Sequence, residues 1–206
     1  MPKRKAIVID IDDTVLDFGS RLREFYNMHY NGCVKGKSHE WDLCRWLNVD
    51  DGQDRVVLAD FMDSWQFGAL DGMPGAKRVL TKLVQEGYDI FCITACGLDP
   101  KVEALRRCNM YHVFGHIFEK IYFVDYGQTK SDILLEIMET HDIHAFVDDK
   151  YDNLADASIC GVKRCIMIKQ PHNKPYRGYA HIKVAYDWYE IAHILQDEQD
   201  TKWKIH

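Results

Sequence analysis

Ile7-Val8-Ile9-Asp10-Ile11-Asp12-Asp13-Thr14 is the stretch on which the fold turns. Ala6 to Ile9 is a short β-rich apolar run that follows a basic start and breaks into aspartates. A run of this length with no polar alternation suits a strand buried on both faces, as in a parallel sheet. Asp10 and Asp12 then lie just past its carboxyl end, where open parallel sheets bind their ligands.

Similar runs recur along the chain at Ile90 to Ile93, Ile121 to Val124, Ala145 to Val147 and Cys165 to Ile168. Helical patterns separate them. Pro74 and Gly75 open a segment with Val79, Leu80, Leu83 and Val84 on one face, and Gly87 closes it. Pro100 opens the next, and Ser131 to Met138 and Asn153 to Ile159 supply two more. Strand and helix in alternation predict an α/β fold, a doubly wound parallel sheet with right-handed crossovers. Residues 18–71 break the rhythm. They are rich in aromatics, with helical spacing at Leu22, Phe25 and Tyr26 and again at Val57, Leu58 and Phe61. They are read as a small helical cap inserted after the first strand, leaving 1–17 and 72–206 as the catalytic core.

Polar residues end the other strands too. Ile90 to Ile93 runs into Thr94, Ala145 to Val147 runs into Asp148 and Asp149, and Lys130 opens the helix before that strand. In a parallel sheet Asp10, Asp12, Thr94 and Asp148 converge at one edge. Carboxylates gathered there repel unless neutralised, and a hard divalent cation such as Mg²⁺ is their natural partner. A lysine and a threonine hydroxyl nearby supply what a phosphoryl group needs. Taken singly, an Asp after a strand is more often a turn residue, Thr94 a helix cap and Lys130 a solvated side chain. All four in this order are hard to assign to chance.

Competing motifs fail. A calcium loop starting at Asp10 needs Gly and Glu where Val15 and Arg21 stand. Gly32-Cys33-Val34-Lys35-Gly36-Lys37-Ser38 is one residue short of a Walker A loop, and no buried strand leads into it. His112 and His116 have Gly115 between them and no Glu at 113, so they read as structural, not as a zinc pair.

Composition narrows the class. The 206 residues carry 26 Lys and Arg against 32 Asp and Glu, a formal charge of −6 that supplies no overall field for long nucleic acid or an anionic membrane. No apolar run reaches the roughly 18 residues of a membrane helix. The basic start before Ala6 resembles a signal peptide, but Asp10, Asp12 and Asp13 interrupt it too early. Seven cysteines with no CxxC pair point to reduced thiols and a cytoplasmic protein.

The ordered set Asp10-Ile11-Asp12-Asp13-Thr14, Thr94, Lys130 and Asp148-Asp149 resembles the four motifs of the haloacid dehalogenase-like phosphatase superfamily. Within it the chain is most similar to the 5′(3′)-deoxyribonucleotidases. That likeness rests on Asp17-Phe18, Leu70 to Ala76 with Pro74-Gly75, Pro171-His172-Asn173 and Trp188. It departs at Asp13-Thr14, where that family usually has Gly-Val. The resemblance implies that Asp10 is a nucleophile that forms an aspartyl-phosphate and that Asp12 is the acid and base. It implies that Thr94 and Lys130 hold the phosphate and that Thr14 positions Asp12 or the phosphate. Mg²⁺ would be held by Asp10, Asp148 and the Asp12 carbonyl, with Asp149 beside them. Phe18 would stack on a nucleobase, with Trp65 and Phe67 as weaker candidates. The expected function is a Mg²⁺-dependent phosphomonoesterase acting on (deoxy)nucleoside monophosphates, in a monomer or a homodimer. Polynucleotide 3′-phosphate ends or sugar phosphates are the alternative substrates, with Lys101, Arg106 and Arg107 as a groove unless they form a solvated helix face. A binding module that has lost turnover is the reading from another class.

Overall fold

A computed structural model describes residues 3–174 and 181–200; parts of the sequence-defined core, 1–2, 175–180 and 201–206, lie outside the described residues. Six strands form one sheet: β1 (Arg4–Ile9), β2 (Asp89–Thr94), β3 (Phe118–Phe123), β4 (His141–Asp148), β5 (Cys165–Ile168) and β6 (Ile182–Ala185). Every pairing is parallel, in the order β3-β2-β1-β4-β5-β6. The expected doubly wound α/β sheet is therefore present, with β6 as an edge strand that the apolar runs did not reveal. The chain moves outward from β1 through β2 to β3, then returns to β4 on the other side. The switch point lies between β1 and β4, and a crevice opens there beyond the strand ends.

Alternation along each strand divides the core into two layers. Ile7, Ile9, Ile90, Cys92, Ala145 and Val147 face one side. Ala6, Val8, Phe91, Ile93 and Phe146 face the other. The first layer is covered by α4 (Ala76–Gln85), α5 (Pro100–Phe114) and α8 (Trp188–Asp200), the second by α6 (Ser131–Thr140) and α7 (Tyr151–Ile159). Helix α5 is capped by Asp99, which accepts from Lys101 N at 2.8 Å, with Pro100 in the first turn.

Between β1 and α4 lie α1 (Phe18–His29), α2 (Leu43–Leu47), α3 (Gln53–Asp63) and a 3₁₀ turn at Trp65–Gly68. Their apolar residues, Leu22, Phe25, Val57, Phe61 and Phe67 among them, belong to the same cluster as Ile7, Ile9 and Val147. The inserted helices thus share the core of the sheet. At the far end, the fully buried Trp188 donates from Nε1 to the Thr14 carbonyl at 2.8 Å. This bond ties α8 to the loop after β1.

Candidate active site

The loop after β1 is wound tightly. The amides of Val15 and Leu16 both donate to the Ile11 carbonyl, and Asp13 N donates back to Leu16 O. Ile11, Val15 and Leu16 are fully buried and anchor it. Asp13 adopts a left-handed conformation at φ 53°, which is unusual without glycine. Its Oδ1 accepts from Gly19 N at 3.1 Å, and a Cβ on Gly19 would meet Asp13 Oδ2 at 3.2 Å. Glycine at 19 lets α1 start against this carboxylate. Asp10 N donates to Val147 O at 2.9 Å, so Asp10 stands beside the end of β4.

The sequence-defined residues meet as follows. Lys130 is buried, with Nζ 2.5 Å from Asp10 Oδ1 and 2.8 Å from Asp148 Oδ2. Asp148 Oδ1 accepts from Lys150 N at 2.8 Å, and Asn153 Nδ2 reaches both of its oxygens. Asp149 receives the ring of His172 at 2.7 Å and, on its carbonyl, the amide of Asn173. Asp10, Asp12, Asp149, Thr94, Lys130, Phe18 and Phe67 line one cavity of about 560 Å³. Asp148, fully buried and bonded to Lys130, does not line it, and two further residues stand apart from it. Thr14 is fully buried behind the loop with its hydroxyl unpartnered, and Trp65 is 69% exposed on the outer surface.

Charge is poorly balanced here. Burial pushes the Asp10 carboxyl up to about 7, with Asp148 and Asp12 adding to the effect and Lys130 opposing it. Burial, with Asp10 and Asp148 nearby, raises Asp149 well above the carboxylate range. Burial also raises Asp12, against the pull of Arg106, and Asp13, to about 6. Burial opposes the Lys130 charge, but Asp10 and Asp148 outweigh it and hold its pKa above the usual value. Oxygens of Asp10, Asp148 and Asp149 lie within 4.8 Å of one another. Three buried carboxylates with one lysine, which bonds only Asp10 and Asp148, form an all-oxygen donor set with surplus negative charge, and this suits a hard divalent cation.

Three residues of the site were missed in the sequence. Asn153 reads in the sequence only as a helix start. Lys37, in the rejected Walker-like stretch, lines the cavity and pairs with Asp17 at 2.9 Å and Asp13 at 3.8 Å. The sequence offers Arg106 to a basic groove or a solvated face, and it belongs to neither. It is 0% exposed and donates from Nη2 to Asp12 Oδ1 at 2.6 Å. A basic residue mid-helix carries no signal of burial until its carboxylate partner is located. The other two members of that cluster are surface residues: Lys101 pairs with Asp63, and Arg107 lies over the Phe123 ring.

No family model and no curated protein matches the chain. Solved structures do. A dehalogenase with an intermediate complex superposes with a TM-score of 0.61 at 14% identity, over 94% of this chain and 98% of that one. The fold is the haloacid dehalogenase-like fold. A haloacid dehalogenase-like hydrolase from Streptococcus pneumoniae shares this fold at a TM-score of 0.63 and 13% identity, over 94% and 99% of the two chains. CbbY from Rhodobacter sphaeroides, in complex with phosphate, aligns at 0.59 and 18% identity over 91% and 96%. A parallel sheet with a helical insertion after the first strand is thus the haloacid dehalogenase-like arrangement. Among the described residues, no helix is long and apolar enough to cross a membrane.

Proposed function

We propose that this chain is a Mg²⁺-dependent phosphomonoesterase that hydrolyses (deoxy)nucleoside monophosphates through an aspartyl-phosphate on Asp10. The observation that carries the reading is one cavity with two unlike walls. Asp10, Asp12, Thr94 and Lys130 make the polar floor, and the inserted segment makes a mostly apolar roof, with Phe18, Leu43, Trp46, Leu58, Met62 and Phe67 beside Lys37, Ser38 and Glu40. A phosphate suits the floor and a flat base suits the roof. Residues 18–71 serve as the cap that selects the substrate.

Asp10 attacks phosphorus, and the bond to the leaving oxygen breaks. Asp12 gives that oxygen its proton and is left as a carboxylate. Thr94 and Lys130 hold the non-bridging oxygens through the transfer. Water then attacks the aspartyl-phosphate, Asp12 takes its proton, and Asp10 is released with inorganic phosphate. Asp10, Asp148 and the Asp12 carbonyl would hold the Mg²⁺, with Asp149 beside them. When bound, the ion supplies charge neutralisation for the nucleophile and the phosphoryl group.

The cavity is also lined by Glu40, Asp152 and Asp156, which disfavours a polyanion and places 3′-phosphorylated polynucleotides second. Sugar phosphates lack the flat group the roof would cover. The test is phosphate release with Mg²⁺ from nucleoside 5′- and 3′-monophosphates, sugar phosphates and a 3′-phosphorylated oligomer, with Asp10→Asn as control. Selective release from mononucleotides, lost in the variant, is expected. Release from sugar phosphates alone would refute the nucleotidase reading and keep the chemistry.

A further inference from the structure

We propose that Arg106 is a positioning residue for proton transfer by Asp12: its grip on Oδ1 fixes the carboxylate and leaves Oδ2 to serve the leaving oxygen. Arg106 lies on α5 and carries a charge with no exposure to solvent. Only one of its three nitrogens, Nη2, is bonded, to Asp12 Oδ1 at 2.6 Å, while Nε and Nη1 are buried without a partner. Its guanidinium lies 4.0 Å from the centroid of Phe67, a residue of the inserted 3₁₀ turn that lines the cavity. A buried, incompletely bonded guanidinium is a costly way to fill space. A methionine would occupy the same volume between α5 and the insertion without that cost. The one feature an apolar residue cannot supply is the charge-assisted bond to Asp12. With Oδ1 held, the carboxylate cannot rotate freely. The charge it carries after giving up its proton is stabilised at once by a fixed neighbour. The Phe67 ring seals the other side, so a cap residue rests against the group that holds the acid.

This inference rests on the phosphatase reading above. It predicts an effect that depends on the leaving group. The ratio kcat/KM reports the steps up to departure of the alcohol, so hydrolysis of the aspartyl-phosphate does not enter it. Arg106→Met is expected to lower kcat/KM for thymidine 5′-monophosphate, whose alcohol needs a proton, about 100-fold. For p-nitrophenyl phosphate, whose leaving group needs none, kcat/KM should stay within about threefold of wild type. Arg106→Lys should recover part of the loss on the nucleotide. In an Asp12→Asn background, Arg106→Met should add nothing. Melting temperatures of all variants establish that each is folded at the assay temperature. Equal losses on both substrates, or an additive loss in the double variant, would overturn the positioning role while leaving the phosphatase reading intact. A wild-type protein that releases phosphate from neither substrate would overturn the phosphatase reading and this inference with it.

Discussion

Asp10 faces two opposed demands. As the nucleophile proposed above it would have to be ionised, yet burial and the adjacent carboxylates disfavour its charge and push it up to about 7. Asn at this position removes both the chemistry and the strain. Asp10→Asn is therefore expected to abolish phosphate release and to raise the melting temperature of the metal-free protein at pH 7.5. The rise should be about 2–4 °C, the shift that ~1 kcal/mol produces in a chain of this size. A lower melting temperature would mean that the Lys130 bond to Asp10 outweighs the repulsion. Phe18 makes a separate case. Its ring meets Phe61 edge-on at 5.5 Å and lines the cavity. Phe18→Ala should raise KM for nucleoside monophosphates about tenfold, as loss of roughly 1–2 kcal/mol of stacking requires, and barely change KM for p-nitrophenyl phosphate. Equal effects on both substrates would remove the stacking role.

Helix α8 is tied to the loop after β1 through Trp188. Trp188→Phe keeps most of the packing and deletes the bond to the Thr14 carbonyl, leaving a buried acceptor unpaired. A loss of about 1–3 kcal/mol in denaturant unfolding is expected, with a smaller fall in activity, because the loop that carries Asp12 loses one of its ties. This element also marks what the sequence could and could not convey. The strands β1, β2, β4 and β5 were legible because each contains a continuous apolar run that is buried. Strand β6 was not, since Lys183 interrupts a short edge strand with one exposed position. Helix α5 was legible at its start, from Pro100, but its burial of Arg106 and Asn109 contradicts any reading of its faces by polarity. The ordered aspartates, Thr94 and Lys130 were legible as a set because strand ends in a parallel sheet share one edge. Lys37 and Asn153 were not, because their roles arise from tertiary approach rather than spacing.

For the molecule as a whole, the buried carboxylates set how stability varies with pH. Asp10, Asp12, Asp13 and Asp149 have folded pKa values raised above the unfolded values near 4. Between about pH 4 and 7 the folded state thus holds more protons than the unfolded state, and stability falls as pH rises through that window. His172 acts the other way. Burial, with Lys37 nearby, lowers it to about 4, so its contribution grows between about pH 4 and 6.5. Four carboxylates against one imidazole leave a net decline, so the metal-free protein should melt lower at pH 7.5 than at pH 5.5. Mg²⁺ should raise the melting temperature more at pH 7.5 than at pH 5.5, because it competes with protons for the same oxygens. A metal-free protein that melts higher at pH 7.5 would contradict the charge balance described here. The single apolar cluster that joins the inserted helices to the sheet has a consequence for how such a protein can change over generations. An insertion with its own core could be exchanged for another as a module, and the host would survive the trade. Here Phe67 both lines the cavity and belongs to the cluster that packs over β1, and Phe61 backs the cavity-lining rings of Phe18 and Phe67 from within that cluster. A substitution that retunes substrate choice is therefore also a test of whether the chain still folds, so new specificities are reached in small steps that each keep the shared interior filled.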